Sequence, residues 1–348
     1  MNTPIEPADL VNAFPLTAVL IGPNERILAA NQLAKDLFSS ECVGQHFINV
    51  LRQPNVLDAI EAVIVRGQHI ETRYLGRDGG RDTTYRVNAA PVAAPNGPAV
   101  LLTFEDLTDI EEAGKMRRDF VANVSHELKT PLTALMGFVE TLRGPARNDS
   151  KAQDRFLTIM EREASRMSQL VQDLLSLSRV EEHERVRPTE EVDLVALVAS
   201  VKQSLEPVAK SSDVIINLDV PETQVQVLGD SNQLRQVLTN LIENGIKYGG
   251  AGKSVDVSVS VPLDQPLIRG KGVTIHVTDH GEGIAEHHIP RLTERFYRVD
   301  SHRSREVGGT GLGLAIVKHI INRHRGRLRI QSKLGQGTVF SVILPILE

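Results

Sequence analysis

The sequence predicts a multidomain α+β protein. An α/β module spans residues 1–108, a helical hairpin 109–186, and a C-terminal α/β sandwich 190–348. Three observations point there. Short apolar strands alternate with helical stretches up to about Leu107. From there to Leu177 the apolar period is helical only. Beyond the charged tract EEHERVRPTEE (181–191), which carries Pro188, lacks an apolar period and is expected to be a linker, helices and strands are mixed again, with hairpin-like strand pairs at the end.

In the first segment, TAVLIG (17–22) and RILAA (26–30) flank the turn residues Gly22, Pro23 and Asn24. Helical stretches follow near 31–38 and 55–66. Alternating segments lie around HIETRYL (69–75), TTYRVNAAPV (83–92) and AVLLTFEDL (99–107), with RDGGRD (77–82) as a hairpin turn. This order, with the IL-AAN-LA stretch (27–34), resembles a PAS domain, a sensory module of signalling proteins. The pattern serves a structural or dimerising module as well as a small-molecule sensor, and it holds no metal-ligand spacing.

A helix then runs through DIEEAGKMRRDF into VANVSHELKTPLTAL (121–135). Phe120, Val124, Leu128, Leu132, Leu135, Val139 and Leu142 recur at helical steps and form one apolar face. His126 stands off that stripe beside Glu127, with Thr130 one turn on. Pro131 offers no N–H to the Glu127 carbonyl, so a bend is expected just after the histidine. Thr130 stands where the zinc-protease pattern H-E-x-x-H needs its second histidine. A solvent-facing imidazole on a bent helix suits a nucleophile that a second domain must reach. RGPARNDS (143–150) ends the helix, and Asp149 or Ser150 can cap the next. That second helix carries Phe156, Met160, Met167, Leu170, Leu174 and Leu177 at heptad-like spacing. One hairpin cannot bury such stripes alone. Pairing two gives a four-helix bundle, so a homodimer through the hairpin is expected.

Composition narrows the partners. A net charge of −5 leaves no basic footprint, so nucleic acid is not expected. No apolar run approaches the ~20 residues of a membrane span. MNTPIEPADL lacks the parts of a signal peptide, and the single cysteine, Cys42, excludes an intrachain disulfide framework and a cysteine-rich zinc site. The expected location is cytoplasmic.

In the last segment a helix from Asp193 to about Lys210 precedes strands VIINLDV (214–220) and QVQVL (224–228). Asp230 caps a helix reaching Tyr248. Strands follow at 254–261 and 272–279, then a Gly-rich stretch to 310, a helix at 311–324, and strands at 327–332 and 337–344. Four clusters here carry chemistry. In NLIENGIKYG (240–249), Asn240, Glu243, Asn244 and Lys247 fall at steps of three and four. Their oxygens suit Mg²⁺ and the lysine suits phosphate. In VTDHGEGI (277–284), Asp279 ends a strand and can accept from a purine amino group, while Gly281 and Gly283 let backbone approach a flat ring. ERFYRVD (294–300) supplies Arg298. In GGTGLGLAIVKHI (308–320) a glycine loop opens into a helix, an anion site suited to polyphosphate. GGAGKS (249–254) is not a Walker A loop, because Lys247 stands where that pattern needs glycine.

In that order, these four motifs resemble the N, first glycine, F and second glycine boxes of the sensor histidine kinases. SHELKTPL resembles their phosphoacceptor box. The resemblance covers about residues 110–348. With the LRQPNVLDAI stretch (51–60), it is most similar to the phosphate-regulon sensor kinase group. Gly245 stands where the family usually has Ala and His280 where Asn or Thr is usual, and no transmembrane anchor is expected within these residues.

The resemblance implies a GHKL-type ATP-binding domain. Adenine would sit at Asp279 with Tyr248 against it. Asn244, supported by Asn240 and Glu243, would hold Mg²⁺, and Lys247 and Arg298 would neutralise phosphate charge. Gly309, Thr310, Gly311, Leu312 and Gly313 would form a lid, with the polar segment 299–310 as its mobile part. His126 would be the phosphoryl acceptor. Glu127 would hydrogen-bond its ring and take its proton. The phosphoryl group would pass to an Asp of a response regulator receiver domain. Thr130 would orient a water that hydrolyses the regulator's phospho-Asp. A GHKL-type ATPase of another class would lack the upstream acceptor histidine, and a scaffold with a dead site would lose Asn244, Asp279 or the glycine loop.

Overall fold

The computed structural model describes residues 6–346 apart from 79, 95, 96, 185, 251, 261, 262, 265, 266, 269 and 300–308. The centre of the RDGGRD turn, one position each in the 181–191 and 249–254 tracts, and most of the expected lid therefore lie outside the described residues. The chain forms two compact units, Met1–Ala122 and Asn123–Glu348.

The first unit is built on five antiparallel strands: β1 (Thr17–Ile21), β2 (Ile27–Ala30), β3 (Ile70–Asp78), β4 (Arg81–Ala94) and β5 (Gly97–Asp106). Their order in the sheet is β2-β1-β5-β4-β3. Strand alternation divides the side chains between two faces. Val19 and Ile21 join a core with α2 (Gln32–Phe38), α3 (Phe47–Leu51) and α4 (Pro54–Arg66), closed by an aromatic group of Phe38, Tyr74, Tyr85 and Phe104. Ala18 packs instead with Ala29 and Val11, the last from α1 (Pro7–Asn12). Both α1 and α3 are too short to show a helical period in the sequence. Asn31 caps α2, accepting from the Ala34 N–H at 3.0 Å.

Helix α5 (Thr108–Arg143) starts in this unit and ends in the second. Its first turn is held by Arg81, whose Nη2 lies 2.9 Å from Asp109 and 2.8 Å from Glu112. The helix continues through Pro131. Asp149 caps α6 (Ser150–Glu182), accepting from Ala152 N at 3.0 Å, and Phe138 stacks on Phe156 near the closed end of the hairpin.

The rest of the second unit is a sandwich. Strands β7 (Ile215–Asp219), β9 (Ser254–Val259), β11 (Lys271–Asp279), β12 (Arg327–Lys333) and β13 (Gly337–Pro345) run in the order β12-β13-β11-β9-β7, and the short β10 (Leu263–Asp264) pairs with β11. Among the described residues only β7 and β9 pair in parallel, so the sheet is mixed, as expected. Helices α7 (Leu194–Ser211), α8 (Ser231–Gly249) and α9 (Gly313–Arg323) supply the second layer. Asp193 and Asp230 cap α7 and α8 through their Oδ1 atoms.

The charged tract expected to be a linker is partly docked. Glu191–Asp193 forms β6 and pairs with β8 (Gln226–Leu228). Ahead of it, Glu184 Oε2 meets His319 Nδ1 at 2.9 Å and Arg323 Nε donates to the Val186 carbonyl at 3.0 Å. Partners on a helix more than 130 residues away carry no local pattern, which is why composition alone suggested a free tether.

Candidate functional site

The apolar pattern of α8 decides which of its residues face outward. Leu234, Leu238, Leu241, Ile242 and Ile246 are buried against the sandwich, which leaves Asn240, Glu243, Asn244, Lys247 and Tyr248 along the wall of a cleft of about 640 Å³. That volume is in the range of small-molecule sites. Asp279, at the end of β11, forms part of the floor. Arg298, Gly309, Thr310, Gly311 and Gly313 close the opposite side. The sequence-predicted cleft residues are thus brought together, with two exceptions. Gly281 and Leu312 do not line the cleft. Leu312 is fully buried, and its N–H donates to Thr310 Oγ1 at 3.3 Å.

Asp279 is buried and accepts from the Gly281 N–H at 2.9 Å and from Thr338. Burial pushes its carboxyl above the usual range, and the Gly281 and Thr338 hydrogen bonds oppose that rise. The neighbouring glycines have a packing role within the protein itself. A Cβ at Gly281 would strike the Tyr248 carbonyl oxygen, and one at Gly283, where φ is +68°, would strike that of Lys333. These glycines make room for protein backbone, and Gly283 also lines the cleft. Similarly, Gly311 (φ +74°) faces the backbone of Phe296, whose N–H donates to the Gly311 carbonyl at 2.8 Å. The glycine loop is pinned in this way to the segment carrying Arg298.

Asn240 Nδ2 donates to the Gly313 carbonyl at 3.3 Å, and Lys247 Nζ pairs with Glu243 at 3.1 Å. Among the described residues, no group of three or more His, Cys, Asp or Glu side chains could hold a metal ion. The carboxamide oxygens of Asn240 and Asn244 and the Glu243 carboxylate are hard donors on one wall. They fit a cation whose remaining ligands are phosphate oxygens and water.

His126 is exposed on α5, with Thr130 on the same face. The Glu127 carboxylate is held here by two guanidinium groups. Residues i and i+1 of a helix point apart, and Glu127 Oε2 lies 2.9 Å from Arg166 Nη2 and 3.4 Å from Arg298 Nη2. Arg298 Nη2 also donates to the Gly309 carbonyl. The Thr130 hydroxyl donates to the His126 carbonyl at 3.1 Å.

Sequence reasoning missed several cleft residues. His288 Nδ1 and the Tyr297 hydroxyl lie 2.6 Å apart, and the Arg291 guanidinium sits over the Tyr297 ring. Asp173 and Gln169 reach the cleft from α6. One signal was legible: Asp173 occupies an apolar register between Leu170 and Leu177, where a carboxylate has no structural reason to be.

Comparison with known proteins fits this geometry. Residues 229–348 match the family of histidine kinase-, DNA gyrase B- and HSP90-like ATPases, and residues 116–183 match the His Kinase A phospho-acceptor domain. The chain is 39% identical over 241 residues to the phosphate regulon sensor protein PhoR of Pseudomonas aeruginosa, covering 69% of this chain and 53% of that one. It is 37% identical over 309 residues to the sensor-like histidine kinase SenX3 of Mycolicibacterium smegmatis, covering 82% and 78%. The chain thus spans about half the length of the first relative and most of the second. Among solved structures, the histidine kinase AdeS of Acinetobacter baumannii aligns with a TM-score of 0.50 and 28% identity, over 64% of this chain and 98% of that one. The complex of the histidine kinase ThkA with the response regulator TrrA aligns at 0.53 over 97% and 98%, with 20% identity, a likeness of fold.

Proposed function

This chain belongs to the sensor histidine kinases, and from that premise we propose that it transfers the terminal phosphoryl group of ATP to its own His126 and then to an aspartate of a response regulator. Hydrolysis of the regulator's phospho-aspartate would be a second activity of the same helix. The observation that carries this reading is the double engagement of Arg298. Its Nη2 donates to the Gly309 carbonyl in the glycine loop and lies 3.4 Å from Glu127, the neighbour of His126. A single guanidinium thus touches both the nucleotide cleft and the acceptor helix.

The residues divide the work by chemistry. Asp279 takes the adenine amino group, with Tyr248 beside the ring. Lys247, Arg298 and the loop 309–313 hold the phosphates through charge and the N-terminus of α9. Asn240, Asn244 and Glu243 would hold Mg²⁺, which when bound neutralises phosphate charge. The imidazole attacks the γ-phosphorus, an N–P bond forms, the bond to the bridging oxygen breaks, ADP leaves, and the proton on the other ring nitrogen passes to Glu127 or to water. Positioning and charge stabilisation supply most of the catalysis in such a transfer. Two copies would pair through the hairpin, and the first unit, PAS-like in its element order, would carry the input. The similarity to PhoR supports a phosphate-regulon type of signalling as the finer reading. Among the described residues, no helix is long and apolar enough to cross a membrane.

The test is incubation with γ-labelled ATP. Label that is acid-labile, base-stable and absent from His126→Gln is expected, with nucleotide binding retained in that variant. Label persisting at wild-type level on His126→Gln would overturn the assignment of the acceptor.

A further inference from the structure

The buried stripe of α6 contains one charged residue. Leu170, Asp173, Leu177 and Val180 face inward at helical spacing, and Asp173 is only 8% exposed. A buried carboxylate must be hydrogen-bonded to be tolerated, and two donors serve it. The Thr310 hydroxyl donates at 2.6 Å and Gln169 Nε2 at 2.8 Å. Thr310 belongs to the glycine loop, so a negative charge from the hairpin is seated within the polyphosphate part of the cleft.

We propose that Asp173 senses the terminal phosphate: its carboxylate disfavours a nucleoside triphosphate in this closed arrangement and leaves a diphosphate nearly unaffected. The inference rests on the reading of the cleft as an adenine-nucleotide site. The loop group that binds Asp173, the Thr310 hydroxyl, lies where a γ-phosphate would reach, and in a low-dielectric cleft two anions repel strongly. A triphosphate therefore expels Asp173 and frees the glycine loop from α6. A diphosphate, whose charge ends one phosphoryl group earlier, lets the contact remain. Asp173 is in this sense a specificity-determining residue supplied by the helical hairpin and not by the nucleotide-binding fold.

The test is equilibrium binding of Mg²⁺·ADP and of a Mg²⁺-bound non-hydrolysable ATP analogue to the full chain. Asp173→Asn keeps the shape and an acceptor for Thr310 but removes the charge. It is expected to tighten the triphosphate analogue about ten-fold while ADP stays within about two-fold. Asp173→Ala, a good helix former in the same stripe, repeats the test should the Asn variant melt early. Equal shifts for both nucleotides, or none, would overturn the inference and leave Asp173 a packing residue. A folded wild-type chain that binds neither nucleotide would overturn the reading beneath it instead, and the inference with it.

Discussion

Arg298 Nη2 lies 3.4 Å from Glu127 Oε2, and the pair is largely withdrawn from water, with side-chain exposures of 10% and 22%. Glu127 is shared with Arg166 at 2.9 Å, so the acceptor helix, α6 and the glycine loop meet through one carboxylate. Arg298→Gln should leave His126 labelled about a hundred-fold more slowly, the scale for losing one charge-stabilising donor. Arg298→Lys should rescue poorly, because a compact, strongly hydrated ammonium is costlier to withdraw from water beside Glu127 and Gly309 than a guanidinium. Initial rates of labelling at saturating ATP are the measurement. Full activity in Arg298→Lys would reduce the residue to a simple positive charge.

The adenine end of the cleft is tested separately. Asp279→Ala removes a buried acceptor and should weaken ADP binding at least about ten-fold. Asn244→Ala should weaken binding mainly when Mg²⁺ is present. Titrations with and without the cation distinguish the two. An Asn244→Ala chain whose affinity falls equally in both would mean that Asn244 contacts the nucleotide directly.

Much of this was legible in the sequence, for reasons that can be traced to individual residues. Leu234, Leu238, Leu241 and Ile242 fix which side of α8 is buried, so the exposure of Asn240, Asn244 and Lys247 follows from period alone. Caps such as Asp149 and Asp230 were legible because their bonds reach only two or three residues. Contacts spanning more than a hundred residues left no such trace. Nothing near Glu127 in sequence announces Arg298, and nothing near Glu184 announces His319. The glycines of the 277–284 motif marked a close approach, and one neighbour they make room for is the Tyr248 and Lys333 backbone. Identifying that neighbour requires the fold.

His324 gives a pH dependence. It is 1% exposed, its Nε2 accepts from the Asp230 N–H at 3.0 Å, and its Nδ1 donates to the Ile320 carbonyl at 2.7 Å. Burial lowers its pKa, and the Ile320 carbonyl only partly opposes this. With the folded value below the unfolded ~6.5, the unfolded chain binds more protons in that window, so stability rises with pH there. The contribution is present above about pH 6.5 and is lost as pH falls through the folded value. The melting temperature should drop between about pH 7.5 and 5.5, and His324→Gln should flatten that drop. Parallel profiles for the two proteins would show that other groups govern the acid limb.

The hairpin leaves an apolar face uncovered in a single chain. Leu132, Met136 and Val139 on α5, and Leu157, Val171 and Leu175 on α6, are 41–59% exposed. A stripe of that kind marks an association surface. The full chain should sediment as a dimer at micromolar concentration, and Met136→Glu, placing a charge in the seam, should shift it to monomer. A wild-type monomer under those conditions would contradict the paired bundle.

Thr130 is where two explanations meet. Its hydroxyl donates to the His126 carbonyl one turn back, an arrangement common for threonine in helices and sufficient to account for its place ahead of Pro131. Yet a hydroxyl that donates one bond still has lone pairs to accept another, and Thr130 is exposed beside His126. It can therefore orient a water held at a docked regulator without giving up its helical bond. Labelling of His126 needs no such water. Thr130→Ala should accordingly keep autophosphorylation within about three-fold of wild type, the scale of a surface substitution, while dephosphorylation of the phosphorylated regulator slows by about a hundred-fold. Thr130→Ser, which restores the hydroxyl, should recover most of the second rate. If Thr130→Ala lowers both rates together along with the melting temperature, the hydroxyl serves the helix alone and hydrolysis belongs to another group.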